Sequence, residues 1–247
     1  MDNLQQLGLV GKGISYSFSQ KYFSQKFEKL MLHNFSYSIF DLDEVGEVEK
    51  LFKKPSLLGL NVTIPYKEKI IPFLDELSPE AKEIGAVNTI MIKDGVKIGF
   101  NTDAIGFENS LKIFHKKMQE SAIVLGDGGA AKAIAYVLKK NEIPFITVSR
   151  KSGKSFHDLT ADEVRQHKLI VQCTPVGTFP NVEDCLDFPF DGLTTNHLVM
   201  DLIYNPNLTK FLEKSQQQGA QTMNGLYMLE QQAEAAWKIW TSKRKIS

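Results

Sequence analysis

Residues 124–131 read Val124-Leu125-Gly126-Asp127-Gly128-Gly129-Ala130-Ala131, an apolar run that breaks into glycines and then into small helix formers. The implied order is strand, tight turn, helix. The spacing fits G-x-G-x-x-G/A with Ala131 in the third small position, allowing a tight turn, close backbone approach to a pyrophosphate and close helix–strand packing. The helix start adds backbone N–H groups and a partial positive charge. Gly126, Asp127, Gly128, Gly129 and Ala130 are therefore candidate dinucleotide contacts. A purely structural turn is the competing reading of a glycine triplet, and the flanking strand and helix weigh against it.

The next strand, 145–148, decides which dinucleotide fits. An acidic residue at its end would hold the ribose hydroxyls of NAD. The chain has Ser149-Arg150-Lys151-Ser152 there instead. A guanidinium, an ammonium and two hydroxyls suit a 2′-phosphate, with no carboxylate to repel it. NADP is the expected cofactor, against the plain alternative that Arg150 and Lys151 are solvated surface charges.

Outward from this unit the pattern keeps alternating. Strands are expected over 7–10, 37–40, 57–62, 121–125, 169–172 and 198–202. Helices are expected after Gly13 (Tyr22, Phe23, Phe27, Leu30 and Met31 on one face), over 45–52, from Thr102 to about 118, over 130–140 and over 226–240. Asp94-Gly95 between two apolar runs predicts a hairpin. Residues 176–196 predict loop. Strands alternating with helices imply an α/β fold with parallel sheets, a Rossmann-like domain and a second α/β domain.

In the first half, polar clusters sit at strand ends: 11–19 with several serines, Asn61-Val62-Thr63-Ile64-Pro65-Tyr66-Lys67, Gly85-Ala86-Val87-Asn88-Thr89, and Gly99-Phe100-Asn101-Thr102-Asp103. Serines at a helix start serve commonly as caps, and a lone lysine is ordinarily a surface group. Spacing alone assigns none of them a role.

The ordered set N-V-T-x-P-x-K, G-A-V-N-T, G-x-N-T-D-x-x-G and the glycine turn resembles the shikimate dehydrogenase family over nearly the whole chain. Later segments agree: Cys173-Thr174-Pro175-Val176-Gly177, Asp201-Leu202-Ile203-Tyr204-Asn205-Pro206, and Asn224-Gly225-Leu226-Tyr227-Met228-Leu229 with Gln232-Ala233. The resemblance implies reversible reduction of 3-dehydroshikimate to shikimate with NADPH, in aromatic amino acid biosynthesis. It implies that Lys67 is the acid/base with Asp103 its partner, and that Ser17 and Ser19 bind the substrate carboxylate. Asn88, Asp103 and Gln232 would hold ring hydroxyls, with Thr63 and Tyr204 nearby. Thr174, Gly225 and Met228 would lie near the nicotinamide. It also implies a substrate domain over 1–103, an NADP domain over 104–224 and a terminal helix, 225–247, returning to the first. Gly13 and Gln20 stand where the family usually has proline, Tyr227 where it has glycine, and Gln172 where it often has asparagine.

The 247 residues carry 29 basic and 29 acidic side chains, so no net field draws the chain to nucleic acid or a membrane surface. Lys243-Arg244-Lys245 reads as a solvated tail. No signal-like start and no membrane-length apolar run is present, so a cytoplasmic protein acting on a small molecule is expected, as monomer or homodimer. The two cysteines and five scattered histidines lack metal-ligand spacing, and the histidines read as surface or loop residues. The rival readings are a related NAD-linked quinate dehydrogenase and a non-catalytic nucleotide sensor.

Overall fold

The computed structural model describes residues 4–14, 17–114, 119–151 and 154–242. Ser152, His115 and the Lys243-Arg244-Lys245 ending lie outside them. The chain divides into two compact units, 1–102 with 233–247, and 103–232.

The first unit holds a six-stranded sheet in the order β2-β1-β3-β5-β6-β4. Its strands are β1 Gln5–Gly11, β2 Phe35–Asp41, β3 Leu57–Val62, β4 Glu76–Leu77, β5 Thr89–Lys93 and β6 Val96–Phe100. β1 runs parallel to β2 and β3, whereas β5 is antiparallel to β3 and to β6. An all-parallel sheet does not hold here, because a two-residue turn joins β5 to β6. Asp94 (φ 51°) and Gly95 (φ 82°) both take the left-handed conformation that matches the twist of a tight hairpin.

Alternate residues of β1 serve opposite faces. Leu7 and Leu9 pack with Phe23 and Phe27 of α1 (Phe18–Lys29) and with Ala236 and Trp240 of α8 (Leu226–Thr241). Val10 packs with Val48 and Leu51 of α2 (Val48–Phe52) and Ala81 of α3 (Pro79–Ile84). Trp240 reaches the sheet because Gly59 offers no side chain, and its indole N–H donates to the Ile90 carbonyl at 2.9 Å. Leu30 and Met31 depart from the expected helix face. α1 stops at Lys29, Met31 turns left-handed, and both are exposed.

The second unit is a five-stranded parallel sheet, β11-β10-β9-β7-β8. These strands are β7 Ala122–Leu125, β8 Phe145–Val148, β9 Leu169–Gln172, β10 Leu198–Asp201 and β11 Gln221–Met223. The order reverses between β8 and β9 on either side of β7, which makes the end of β7 the topological switch point where α/β sheets bind ligands. Helices of this half include α4 Asp103–Leu111, α5 Gly129–Lys140, α6 Ala161–Gln166 and α7 Lys210–Gln217. α4 is shorter than its apolar pattern predicts. Gln119 closes its end by donating to the carbonyls of Leu111 (2.6 Å) and Phe114 (3.2 Å). The expected helix over 45–52 starts as a 3-10 turn, Val45–Glu47, before α2. His197 lies in the loop before β10, as one of the two expected placings has it, but it is fully buried rather than at the surface: its Nε2–H donates to the Val164 carbonyl at 2.9 Å and its Nδ1 accepts the Thr194 N–H at 3.0 Å. Burial lowers its pKa.

Candidate functional site

Register brings the first-half clusters to one sheet edge. β1 and β3 end together, with Val10 opposite Val62. β5 begins at that edge because Asn61 faces Thr89, and β6 returns to it because Thr89 faces Phe100. The loops after β1, β3 and β6 and the one before β5 therefore converge.

Ser17 caps α1, and its hydroxyl oxygen accepts the Ser19 N–H at 3.2 Å. No acidic residue occupies the first turn of this helix. Gly13 precedes it with φ 69°, which a proline cannot adopt. The N–H groups of Gly13 and Ile14 donate to the two carboxylate oxygens of Asp41, at 2.8 and 3.2 Å. The glycine thus replaces a rigid ring by a turn that Asp41 holds from β2.

Thr63 and Lys67 follow β3. The Thr63 N–H donates to Val10 (2.9 Å), and the Lys67 carbonyl accepts from Val87 (2.7 Å). Tyr66, buried between them, donates its hydroxyl to the Leu42 carbonyl at 2.7 Å. The half-buried Lys67 is thereby anchored by backbone on one side and a packed ring on the other. Asn88 is buried, and its Oδ1 accepts from the N–H and hydroxyl of Thr102 at 2.6 and 3.1 Å. Asp103, also buried, is the next residue and opens α4.

In the second unit the glycine turn stands at the switch point. Gly126 has φ 115°, and a side chain there would press on Thr174 across the β7–β9 boundary. Gly128 is different. Its φ is −75°, and an added Cβ would meet no protein atom within 4 Å. Neither conformation nor packing demands glycine, so the missing side chain leaves room for something outside the protein. α5 starts there with no side-chain cap and no acidic residue in its first turn, leaving its N–H groups to an anion. These features fit a dinucleotide pyrophosphate.

Ser149 follows β8 and donates to Asp127 at 3.0 Å, tying the two loops together. Arg150 and Lys151 are exposed, and neither has a carboxylate partner among the described residues. Gln172 is fully buried. It bridges its own loop by accepting the Thr174 N–H and donating to the Val176 carbonyl at 3.2 Å, so the longer amide still braces the turn. Asp201 ends β10 and accepts from Ile203 N–H (3.0 Å) and the Thr209 hydroxyl (2.6 Å). That fixes the loop carrying Tyr204. Gly225 donates to the Ile203 carbonyl at 2.9 Å and lies against Leu202 where any side chain would collide. One turn into α8, the backbone of Met228 contacts Gly106 of α4, where a Cβ would approach to 2.6 Å. Gln232 is buried at the end of this half.

The chain as a whole is similar to known proteins. A family model described as the shikimate dehydrogenase substrate binding domain fits residues 9–90. A shikimate dehydrogenase (NADP(+)) of Desulforamulus reducens is 36% identical, covering 96% of this chain and 90% of its own. The chain belongs to the shikimate dehydrogenase family. Among solved shikimate dehydrogenases, that of Aquifex aeolicus superposes with a TM-score of 0.85 at 34% identity, covering 96% of this chain and 92% of its own. That of Thermus thermophilus, solved with NADP(H) and shikimate, also gives 0.85, at 29% identity and 96% and 94% coverage. The two-domain α/β architecture of the family is the one expected from the sequence.

Sequence reasoning assigned no role to Asp41, Tyr37 or Asn61. A tyrosine in the strand expected over 37–40 was the available signal, since a buried phenol must find a partner. Among the described residues no group of His, Cys, Asp and Glu is arranged to hold a metal, and no helix is long and apolar enough to cross a membrane.

Proposed function

We propose that the protein reduces 3-dehydroshikimate to shikimate, reversibly, with NADPH. The observation that carries this is that one unit holds an unexplained glycine and an uncapped helix at a parallel-sheet switch point, and the other a hydroxyl-, amide- and lysine-lined sheet edge. NADPH, when bound, supplies the hydride to the substrate carbonyl carbon.

The residues of this chain do the rest. Gly126, Asp127, Gly128, Gly129 and Ala130 take the pyrophosphate, and Ser149, Arg150 and Lys151 take the 2′-phosphate. Thr174, Gly225 and Met228 shape the nicotinamide end. Ser17 and Ser19 hold the substrate carboxylate with the first turn of α1 behind them. Asn88, Asp103 and Gln232 hold ring hydroxyls, with Thr63 and Tyr204 beside them. The Lys67 ammonium hydrogen-bonds the carbonyl oxygen, stabilises the negative charge that develops there, and passes it a proton as the alcohol forms. In oxidation the same nitrogen receives that proton. Residues 1–103 with the terminal segment 225–247 form the substrate half, and 104–224 the cofactor half, of a cytoplasmic enzyme.

The test is loss of NADPH absorbance on adding 3-dehydroshikimate, with quinate, shikimate and NAD in parallel. Turnover of quinate with NAD alone would favour the quinate enzyme, and no turnover would favour a sensor.

A further inference from the structure

The glycine turn carries one charged side chain, Asp127, and its charge is wrong for a pyrophosphate. Backbone N–H groups hold such an anion, and a carboxylate repels it. The side chain of Asp127 therefore has no part in that contact, and it is turned elsewhere. β7 and β8 run in register with Leu125 opposite Val148. The Gly126 N–H extends the pairing by donating to the Val148 carbonyl at 2.8 Å. Just beyond, the buried Ser149 hydroxyl donates to Asp127 Oδ2 at 3.0 Å.

Ser149 is itself held in place for this. Its N–H donates to the Lys154 carbonyl at 2.9 Å, and its hydroxyl oxygen accepts the Lys151 N–H at 3.2 Å. Asp127 is half-buried, and among the described residues no lysine or arginine pairs with it. A site that selects NAD sets a carboxylate on the adenosine ribose hydroxyls from the end of the second strand. The end of β8 offers Ser149, Arg150 and Lys151 instead. The turn after β7 brings a carboxylate to that same strand end from the neighbouring loop. One of its oxygens takes the Ser149 hydrogen, and the other is an acceptor for a ribose hydroxyl. The exposed Arg150 and Lys151 favour a 2′-phosphate, and Asp127 opposes it.

We infer that Asp127 is a specificity-determining residue for the cofactor: its carboxylate takes a ribose hydroxyl of NADH and works against the 2′-phosphate of NADPH, so the chain uses both. The inference rests on the dinucleotide site of the proposed function and not on its substrate. A bond that only ties two loops together would need the acceptor but not the charge. Asparagine separates the two, because its amide oxygen still accepts from Ser149.

Calorimetric titration of the full chain with NADPH and with NADH, without substrate, tests this. The unmodified protein is expected to bind both. Asp127→Asn should lower the Kd for NADPH about threefold or more, the effect of removing one screened charge beside a phosphate. It should raise the Kd for NADH about threefold or more, so that the preference for NADPH grows about tenfold. Asp127→Ser should shift the preference the same way, and serves if Asp127→Asn does not fold. Kd values that stay where they are, or that move together, in a folded variant overturn the inference alone. So does an unmodified protein that binds NADPH and no NADH. Failure of the unmodified protein to bind NADPH overturns the proposed cofactor, and this inference with it.

Discussion

The side-chain oxygen of Asn88 holds the backbone N–H of Thr102 at 2.6 Å, so one amide ties the start of β5 to the residue that precedes Asp103. Removing it takes away the acceptor of that buried N–H and of the Thr102 hydroxyl. Asn88→Ala is expected to lower unfolding free energy by about 1–3 kcal/mol in denaturant titration. It should also raise KM for 3-dehydroshikimate while NADPH affinity stays within about twofold. Equal losses for both ligands would mean that the residue supports the fold alone.

Two glycines separate packing from ligand approach. Gly225 abuts the Leu202 carbonyl, so Gly225→Ala should cost about 1–3 kcal/mol of stability through overpacking. Gly128 meets nothing, so Gly128→Ala should change stability by less than about 1 kcal/mol. Its NADPH Kd should nevertheless rise at least about tenfold, the effect of crowding a pyrophosphate. Unaltered NADPH binding by Gly128→Ala in a calorimetric titration would move the cofactor elsewhere.

Arg150, exposed and without a carboxylate partner among the described residues, should be the chief discriminator of the 2′-phosphate. Arg150→Ala is expected to weaken NADPH by about 10- to 100-fold, the range of a charge-assisted bond, and to leave NADH nearly unchanged. A constant NADPH/NADH preference would contradict the assignment.

Burial raises the pKa of Asp201 from 3.8 to about 6, against the opposing hydrogen bonds from Thr209 and Ile203. Between those values the folded state keeps a proton that the unfolded state has lost. Stability from this group is therefore present below about pH 4 and lost as pH rises to 6, on the order of 3 kcal/mol. Glu163 has the opposite sign. Lys154 and the Thr160 cap lower its pKa to about 2, so its contribution is present above 4.5 and lost as pH falls toward 2. Thermal unfolding across pH should show Asp201→Asn flattening the 4–6 window and Glu163→Gln flattening the window below it.

The strands other than β4 and β11, and the glycine turn, were legible in the sequence because their signal is local: apolar runs broken by glycines, and Asp94-Gly95 at a hairpin. Short elements were less legible. α3, α6 and α7 are six to eight residues long, too short for a periodic stripe. Their caps at Ser78, Thr160 and Thr209 were the signals available, with Glu163 completing a box on Thr160. The candidate site was legible as strand-end clusters whose order matched a family. What no local pattern carries is the line from Tyr37 through Asn61 and Thr89 to Asn88, because it depends on the sheet register that sets Asn61 opposite Thr89. The Gly13–Asp41 contact depends on β1 and β2 lying side by side.

The most direct test of the proposed chemistry is single-residue removal of the acid, Lys67→Ala, assayed as NADPH oxidation with saturating 3-dehydroshikimate. The expected result is a fall in kcat of about 10²-fold or more with KM little changed, within the usual contribution of a general acid. A folded Lys67→Ala protein with near-normal kcat would contradict it.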